Sequence, residues 1–269
     1  MKFRIFTLVF LIMLAACGKP ADNTNATVSG KGSENQGGNN GGENGGGSGD
    51  TGGSTTSQAP EGTVDLGLSV YWGIQNVGAT AQEQAGEFYG WGEVAPHKKD
   101  SGEYGMYDWP VYKWCNWYSG SLPSSYTKYW SDENDSSADG LLKLAPEDDA
   151  AHVNLGGNWR MPTKAEYQEL RDTKNDSANY KWEWKTIGEM PGMEITYVKN
   201  GSKIFFPAAG YHYVNSYLAA GSRGDYWTSE KEDDNNHRAT LFRFMPSQHY
   251  AVAEQRCYGL PIRAVLPKD

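Results

Sequence analysis

Apolar and polar positions in this chain follow two periods. Around residues 163–172, Thr163-Lys164-Ala165-Glu166-Tyr167-Gln168-Glu169-Leu170 has helical spacing, with Ala165, Tyr167 and Leu170 expected toward a core and Lys164, Glu169 and Arg171 toward water. Thr163 followed three residues later by Glu166 is the signature of a capping box. A first helix is expected over 146–154, with Pro146 at its first position, Glu147, Asp148 and Asp149 at its positive end, and Gly156-Gly157 as its stop. The rest of the folded part reads with period two. Strands are expected at 87–94, at Trp182-Glu183-Trp184, at 194–198 and 203–206 around an Asn200-Gly201 turn, and at 225–229, 240–244 and 260–265. Residues 64–77 read as short extended pieces, and 104–130 as loops pinned by rings. Two early helices followed by dominant strands predict an α+β domain with mostly antiparallel pairing.

The first 62 residues follow neither period. Lys2 and Arg4 precede an apolar run over 3–14, the length of a signal-peptide core and too short to span a bilayer. Leu14-Ala15-Ala16-Cys17 resembles a bacterial lipobox, which implies cleavage before Cys17 and acylation of its thiol and amine. Several acyl chains hold a protein firmly, at roughly 0.8 kcal/mol per buried CH₂. Gly18 rather than Asp after the cysteine fits sorting to the outer membrane by analogy with enteric lipoproteins. The cell surface is the expected side, with the periplasmic face left open. Residues 18–62 are rich in Gly, Asn, Ser and Thr and cannot bury enough surface to order themselves. This gives three expected segments: 1–17 as leader and lipobox, 18–62 as linker, and 63–269 as the folded domain.

Composition narrows the partners. All ten Trp lie between Trp72 and Trp227, inside the folded part. The net charge of −9 argues against nucleic acid and anionic lipid. Beyond Cys17 the cysteines are Cys115 and Cys257; two buried free thiols are expected, with a disulfide as the alternative. The domain is expected to stand as a monomer. The five histidines lack zinc-type spacing, and no Gly-x-Ser-x-Gly elbow occurs, so neither catalysis nor any cofactor is expected. Asp132-Glu133-Asn134-Asp135-Ser136 lacks the Gly and distal Glu of a calcium loop and reads as a solvated turn.

Gly157-Asn158-Trp159-Arg160-Met161-Pro162-Thr163 with Glu166 resembles the core of the C-type-lectin-like fold. Further pieces follow in order: Asn76-Val77-Gly78-Ala79-Thr80, Tyr89-Gly90-Trp91-Gly92-Glu93, Tyr112-Lys113-Trp114-Cys115-Asn116, Glu147-Asp148-Asp149-Ala150-Ala151, Phe206-Pro207-Ala208-Ala209-Gly210-Tyr211, Tyr226-Trp227-Thr228-Ser229 and Ile262-Arg263-Ala264-Val265. Together they resemble the Fibrobacter succinogenes major paralogous domain, a family abundant in lipoproteins of gut Bacteroidetes. Leu155 and Ala264 replace the Trp and Pro that relatives carry, and the chain lacks the second cysteine that relatives often place near Trp130. The resemblance implies a C-type-lectin-like domain and binding more than catalysis, with ligands met on the last strands and loops.

Two groups of residues are therefore singled out. Trp159, Arg160, Thr163, Glu166, Trp227 and Arg263 are expected to hold the scaffold. The mixed polar and ring residues His237, Arg238, Arg243, Gln248, His249, Tyr250, Glu254, Gln255, Arg256 and Tyr258 are expected to form a ligand-binding face. Tyr104, Tyr107, Trp109, Trp117, Tyr118, Tyr126 and Trp130 are expected mainly to pin loops. The leading expectation is a surface-anchored module that recognises a glycan or protein ligand without a metal. A structural or tip subunit of a surface fibre is the second reading, and a hydrolase the third.

Overall fold

Two short strands start the domain, β1 (Thr63–Val64) and β2 (Val70–Asn76), and the last strand, β13 (Arg263–Pro267), returns beside β2 to complete their sheet in the order β1-β2-β13. The computed structural model describes residues 59–268 apart from 119, 121 and 133. The leader, Cys17 and residues 18–58 of the linker lie outside the described residues, as do the side chains of Trp117 and Tyr118. Residues 55–269 form a compact unit of their own. Every strand pair within the sheets is antiparallel, so the α+β expectation holds at that level.

Between the first and last strands the chain forms the β3 (Cys115–Tyr118) and β4 (Pro123–Tyr126) hairpin, then helices α1 (Ala150–Leu155) and α2 (Lys164–Asp172). A three-stranded meander follows: β5 (Tyr180–Ile187), β6 (Met190–Tyr197) and β7 (Lys203–Pro207). The predicted Asn200-Gly201 turn joins β6 to β7, with Gly201 at φ 75. Next come the small hairpin of β8 (Tyr211–Tyr213) and β9 (Ser216–Leu218) and the sheet of β10 (Gly224–Lys231), β11 (Arg238–Phe244) and β12 (His249–Gln255).

Strands β10 and β11 of this last sheet are buried on both faces, whereas no residue of β12 is fully buried. Tyr226, Phe242 and Phe244 face one core, with Tyr167 and Leu170 of α2, Trp72 of β2, and Ile195 and Phe206 of the meander. Tyr167 stacks on Phe242 with centroids 5.0 Å apart. Trp227, Ala239 and Leu241 face a second core, with Tyr89, Trp91, Tyr129, Ala150, Ala151, Met161 and Ile262. Period two makes both cores from one strand, because successive residues of β11 point to opposite sides. Gly224 stands opposite Phe244 in the ladder, and a Cβ there would meet the Phe244 ring at 2.1 Å.

The residues expected to hold the scaffold make the following contacts. The Thr163 hydroxyl accepts from Glu166 N at 3.2 Å, and a Glu166 carboxylate oxygen accepts from Thr163 N at 2.8 Å, which completes the capping box. Arg160 grips the same carboxylate with both Nη groups. Trp227 donates from its indole to Tyr89 O at 2.9 Å. Trp159 is half-buried against the second core.

Several expectations are corrected. Residues 87–94 do not form a strand; only Tyr89 pairs, with Leu260, and the chain turns at Gly92, φ 77. The helix expected at 146–154 opens as one 3-10 turn over Pro146–Asp148, and α1 starts only after Asp149. Asp149 is its N-cap, accepting from Ala151 and His152, and its other oxygen accepts from Met161 N at 2.8 Å. Asp148 is not a dipole partner of that helix: its buried carboxylate holds Lys113, Lys128 and the Tyr129 hydroxyl. Ala165 is exposed, because Tyr167 and Leu170 alone face the core from α2. Of the loop rings, Tyr107, Trp109, Tyr126 and Trp130 are buried and Tyr104 is half-buried. Both thiols are free; Cys257 is buried and Cys115 half-buried.

Candidate functional site

The ten residues expected to form one binding face fall into five places. Antiparallel register puts Arg243 opposite Tyr250 and Ala239 opposite Glu254, on the same sheet face as Leu241 and Trp227. Toward the Arg243 end this face stops being apolar and becomes an ion array with tyrosines around it. Asp225, fully buried on β10, accepts from Arg243 Nε at 2.7 Å and Nη2 at 3.0 Å, and from Arg223 Nη2 at 3.0 Å. Arg243 Nη2 also donates to Glu254 at 3.1 Å. Burial opposes the Arg243 charge, but Asp225 and then Glu254 outweigh it and hold its pKa above the ordinary arginine value.

Rings from two other segments complete the array. Tyr211 and Tyr213 flank the buried His212 on β8, so period two turns both tyrosines to one side. Tyr258, in the turn after β12, stacks on Tyr211 at 5.6 Å with an interplanar angle of 14°, and meets Tyr213 at 4.5 Å. The Arg223 guanidinium lies 4.6 Å from the Tyr211 ring centroid. Burial first, then Glu254, raises the Tyr258 pKa, so its hydroxyl stays a neutral donor. The three rings are half-buried, each with part of its surface open. Arrayed phenols beside fixed guanidinium and carboxylate groups suit stacking on a sugar face or on a partner's side chains.

Other expected residues are elsewhere. The Tyr126 hydroxyl and His237 Nδ1 are 2.6 Å apart, and both border a pocket of about 410 Å³ with Trp130, Asp132 and Asn236. Burial, then the Arg256 and Arg238 charges, lowers the His237 pKa. Gln248 and His249 sit at the β11–β12 turn, where the His249 ring lies 5.2 Å from Trp182. Arg238 is exposed and pairs with the half-buried Gln255 across the strands.

Two of the ten are not free surface residues. Arg256 is 0% exposed, which removes it from the binding face. Its guanidinium lies 4.2 Å from the Tyr126 centroid and 5.5 Å from those of Trp91 and Tyr112, and Nη1 donates to Tyr129 O. It is a spacer beside a third buried cluster, made by Trp109, Tyr112, Tyr126, Trp130 and Cys257, and its carbonyl accepts from Trp91 N at 2.8 Å. Arg243 is buried as well and reaches a ligand only through the array it anchors.

Tyr211, Tyr213, Arg223 and Asp225 escaped the sequence reading. The Tyr-His-Tyr alternation was the available signal for the first two; nothing in sequence places Arg223 beside Arg243. Among the described residues no group of three His, Cys, Asp or Glu side chains is arranged to hold a metal, and no helix is long and apolar enough to cross a membrane. No protein-family model, curated protein or solved structure matches the chain.

Proposed function

We propose that the chain is a lipid-anchored module with a C-type-lectin-like domain of the Fibrobacter succinogenes major paralogous domain kind. It engages a glycan or a protein ligand, without metal and without catalysis. The contact surface is the Tyr211–Tyr213–Tyr258 ring group beside the Arg223–Asp225–Arg243–Glu254 array. One observation carries this reading. Three partly open tyrosines from two segments converge on guanidinium groups that are already fixed by carboxylates, so a ligand meets a surface that is ordered before it arrives. The lipobox and the long polar linker support it by lifting such a surface clear of a membrane. Glycan and protein arrays probed with residues 55–269 test the reading. A saturable ligand should appear and should lose at least tenfold in affinity with Tyr258→Ala. No binder at high micromolar protein overturns it.

A second reading, a structural or tip subunit of a surface fibre, is favoured by one feature: an uncovered strand edge on β12. Co-purification with other envelope proteins in place of a soluble ligand separates the two.

A further inference from the structure

Among the described residues the outer edges of β5 and β12 are both without backbone partners along most of their length, and only that of β12 lacks lysine. Met245 N donates to Gln248 O at 2.7 Å, and Arg256 N to His237 O at 3.0 Å. Hydrogen-bonded and non-bonded pairs alternate in an antiparallel ladder. The bonded pairs between these two are therefore Arg243/Tyr250, Leu241/Val252 and Ala239/Glu254 in the observed register. His249, Ala251, Ala253 and Gln255 then turn their N–H and C=O groups outward. Among the described residues nothing hydrogen-bonds to the outward backbone groups of His249, Ala251 and Ala253. A groove of about 760 Å³ runs alongside Ala251, Val252 and Ala253, with Thr240 and Lys164 on its wall.

Exposed edges are normally blunted by lysine, proline, bulges or cover. The far side of β10 is covered: Leu144 N donates to Ser229 O, Lys231 N to Leu142 O, and Ser229 N to Pro162 O. β5 carries Lys181, Glu183 and Lys185 along its length. β12 reads His-Tyr-Ala-Val-Ala-Glu-Gln, with no lysine and no proline, and its pairing with β11 has no register shift.

That sequence is also complementary to itself. A two-fold axis at Val252 pairs Ala251 with Ala253 of a second copy and His249 with Gln255. Both sets are outward-pointing residues, as a bonded antiparallel pair requires. The non-bonded positions become Val252 against Val252 and Tyr250 against Glu254. No two like charges oppose one another, and the smallest side chains fall beside the axis. We propose that the β12 edge is an isologous dimer site at which two copies of this chain join their β10–β12 sheets into one six-stranded sheet. The pairing replaces the expected lone monomer. Its readout needs no ligand, so it stands or falls apart from the proposed binding function.

Sedimentation equilibrium of residues 55–269, from low micromolar to millimolar, tests it. A reversible monomer–dimer equilibrium with a micromolar Kd is expected. Ala251→Pro removes an outward N–H and should weaken association at least tenfold. Tyr250→Glu sets a carboxylate against Glu254 twice and should weaken it likewise, whereas Tyr250→Lys should strengthen it. Val252→Cys, in a Cys115→Ser background, should form a disulfide-linked dimer under mild oxidation, because a non-bonded pair holds its Cα atoms about 4.5 Å apart, within disulfide range. Thermal melts confirm that each variant folds; Tyr250→Glu carries the test if Ala251→Pro does not. A monomer throughout, a dimer indifferent to both weakening variants, or Val252→Cys that fails to cross-link overturns the proposal.

Discussion

Arg263 donates from Nε to Oδ1 of Asn76 at 2.9 Å, a side-chain bond deep inside the domain that reinforces the pairing of the last strand with the first long one. The same guanidinium donates to Gly73 O at 3.0 Å and Phe205 O at 2.8 Å. No carboxylate accompanies it among these bonds, and burial lowers its pKa. Three buried acceptors, two on β2 and one on β7, converge on a single side chain. Arg263→Leu should therefore cost about 3 kcal/mol or more, since each buried acceptor left unmade costs roughly 1–3 kcal/mol. A urea titration should show this as a lowered midpoint with an unchanged slope.

Glu166 joins the helix cap to Arg160, and its chemistry makes that joint acid-sensitive. Burial opposes its charge, but Arg160 and the Thr163 N–H outweigh burial and hold the folded pKa below the ordinary 4.5. A depressed carboxylate pKa stabilises the fold above the unfolded value, and the gain is lost as pH falls through the folded value. Glu166→Gln should cost about 1–2 kcal/mol at pH 7, the usual scale of a cap with a charged bond. The cost should shrink at pH 3, which paired urea titrations at the two pH values measure.

His212 titrates the opposite way from a salt-bridged histidine. It sits among Phe88, Tyr104 and Tyr217, with ring centroids within 5 Å, and burial, followed by the Lys98 charge, lowers its pKa to about 4. The native state holds it neutral, so the stability it allows is present above pH 6.5 and is lost as pH falls from about 6.5 to 4. That loss amounts to at most about 3 kcal/mol, at 1.36 kcal/mol per unit. His212→Phe keeps the ring and removes the proton acceptor. Its melting temperature should fall less than the parent's between pH 7 and 4.

Cys257 and Cys115 lie in the same ring cluster but differ in burial. Burial raises both thiol pKa values, and far more so for Cys257. A thiolate is the reactive form. With a disulfide-exchange reagent at pH 8, Cys115 should react slowly and Cys257 only at the rate of unfolding. Prompt reaction of both in the native state would show that this cluster opens.

Local signals in the chain were read correctly where they were self-contained. Thr163 and Glu166 cap each other within one turn, and Asn200-Gly201 supplies its own positive φ. Leu241 and Phe244 both face cores, but on opposite faces, a thing no single-face pattern expresses. Arg243 and Arg256 look like surface residues by type. Asp225 buries one and a box of rings buries the other, and both environments come from segments distant in sequence. The strand expected at 87–94 fails because Gly90 and Gly92 serve a turn that folds Glu93 back. β12 supplies four of the residues expected on the binding face but carries no strand signal, because none of its small and polar residues is fully buried.

The domain's first and last strands share one sheet, and Lys268 reaches back to Asp65 at 2.8 Å. A chain still being synthesised thus lacks the strand that supplies Arg263, and β2 has no inner neighbour until β13 is made. Folding of the domain is deferred until β13 has emerged, so removal of β13 should leave a chain that proteases clear rather than a slightly shortened domain.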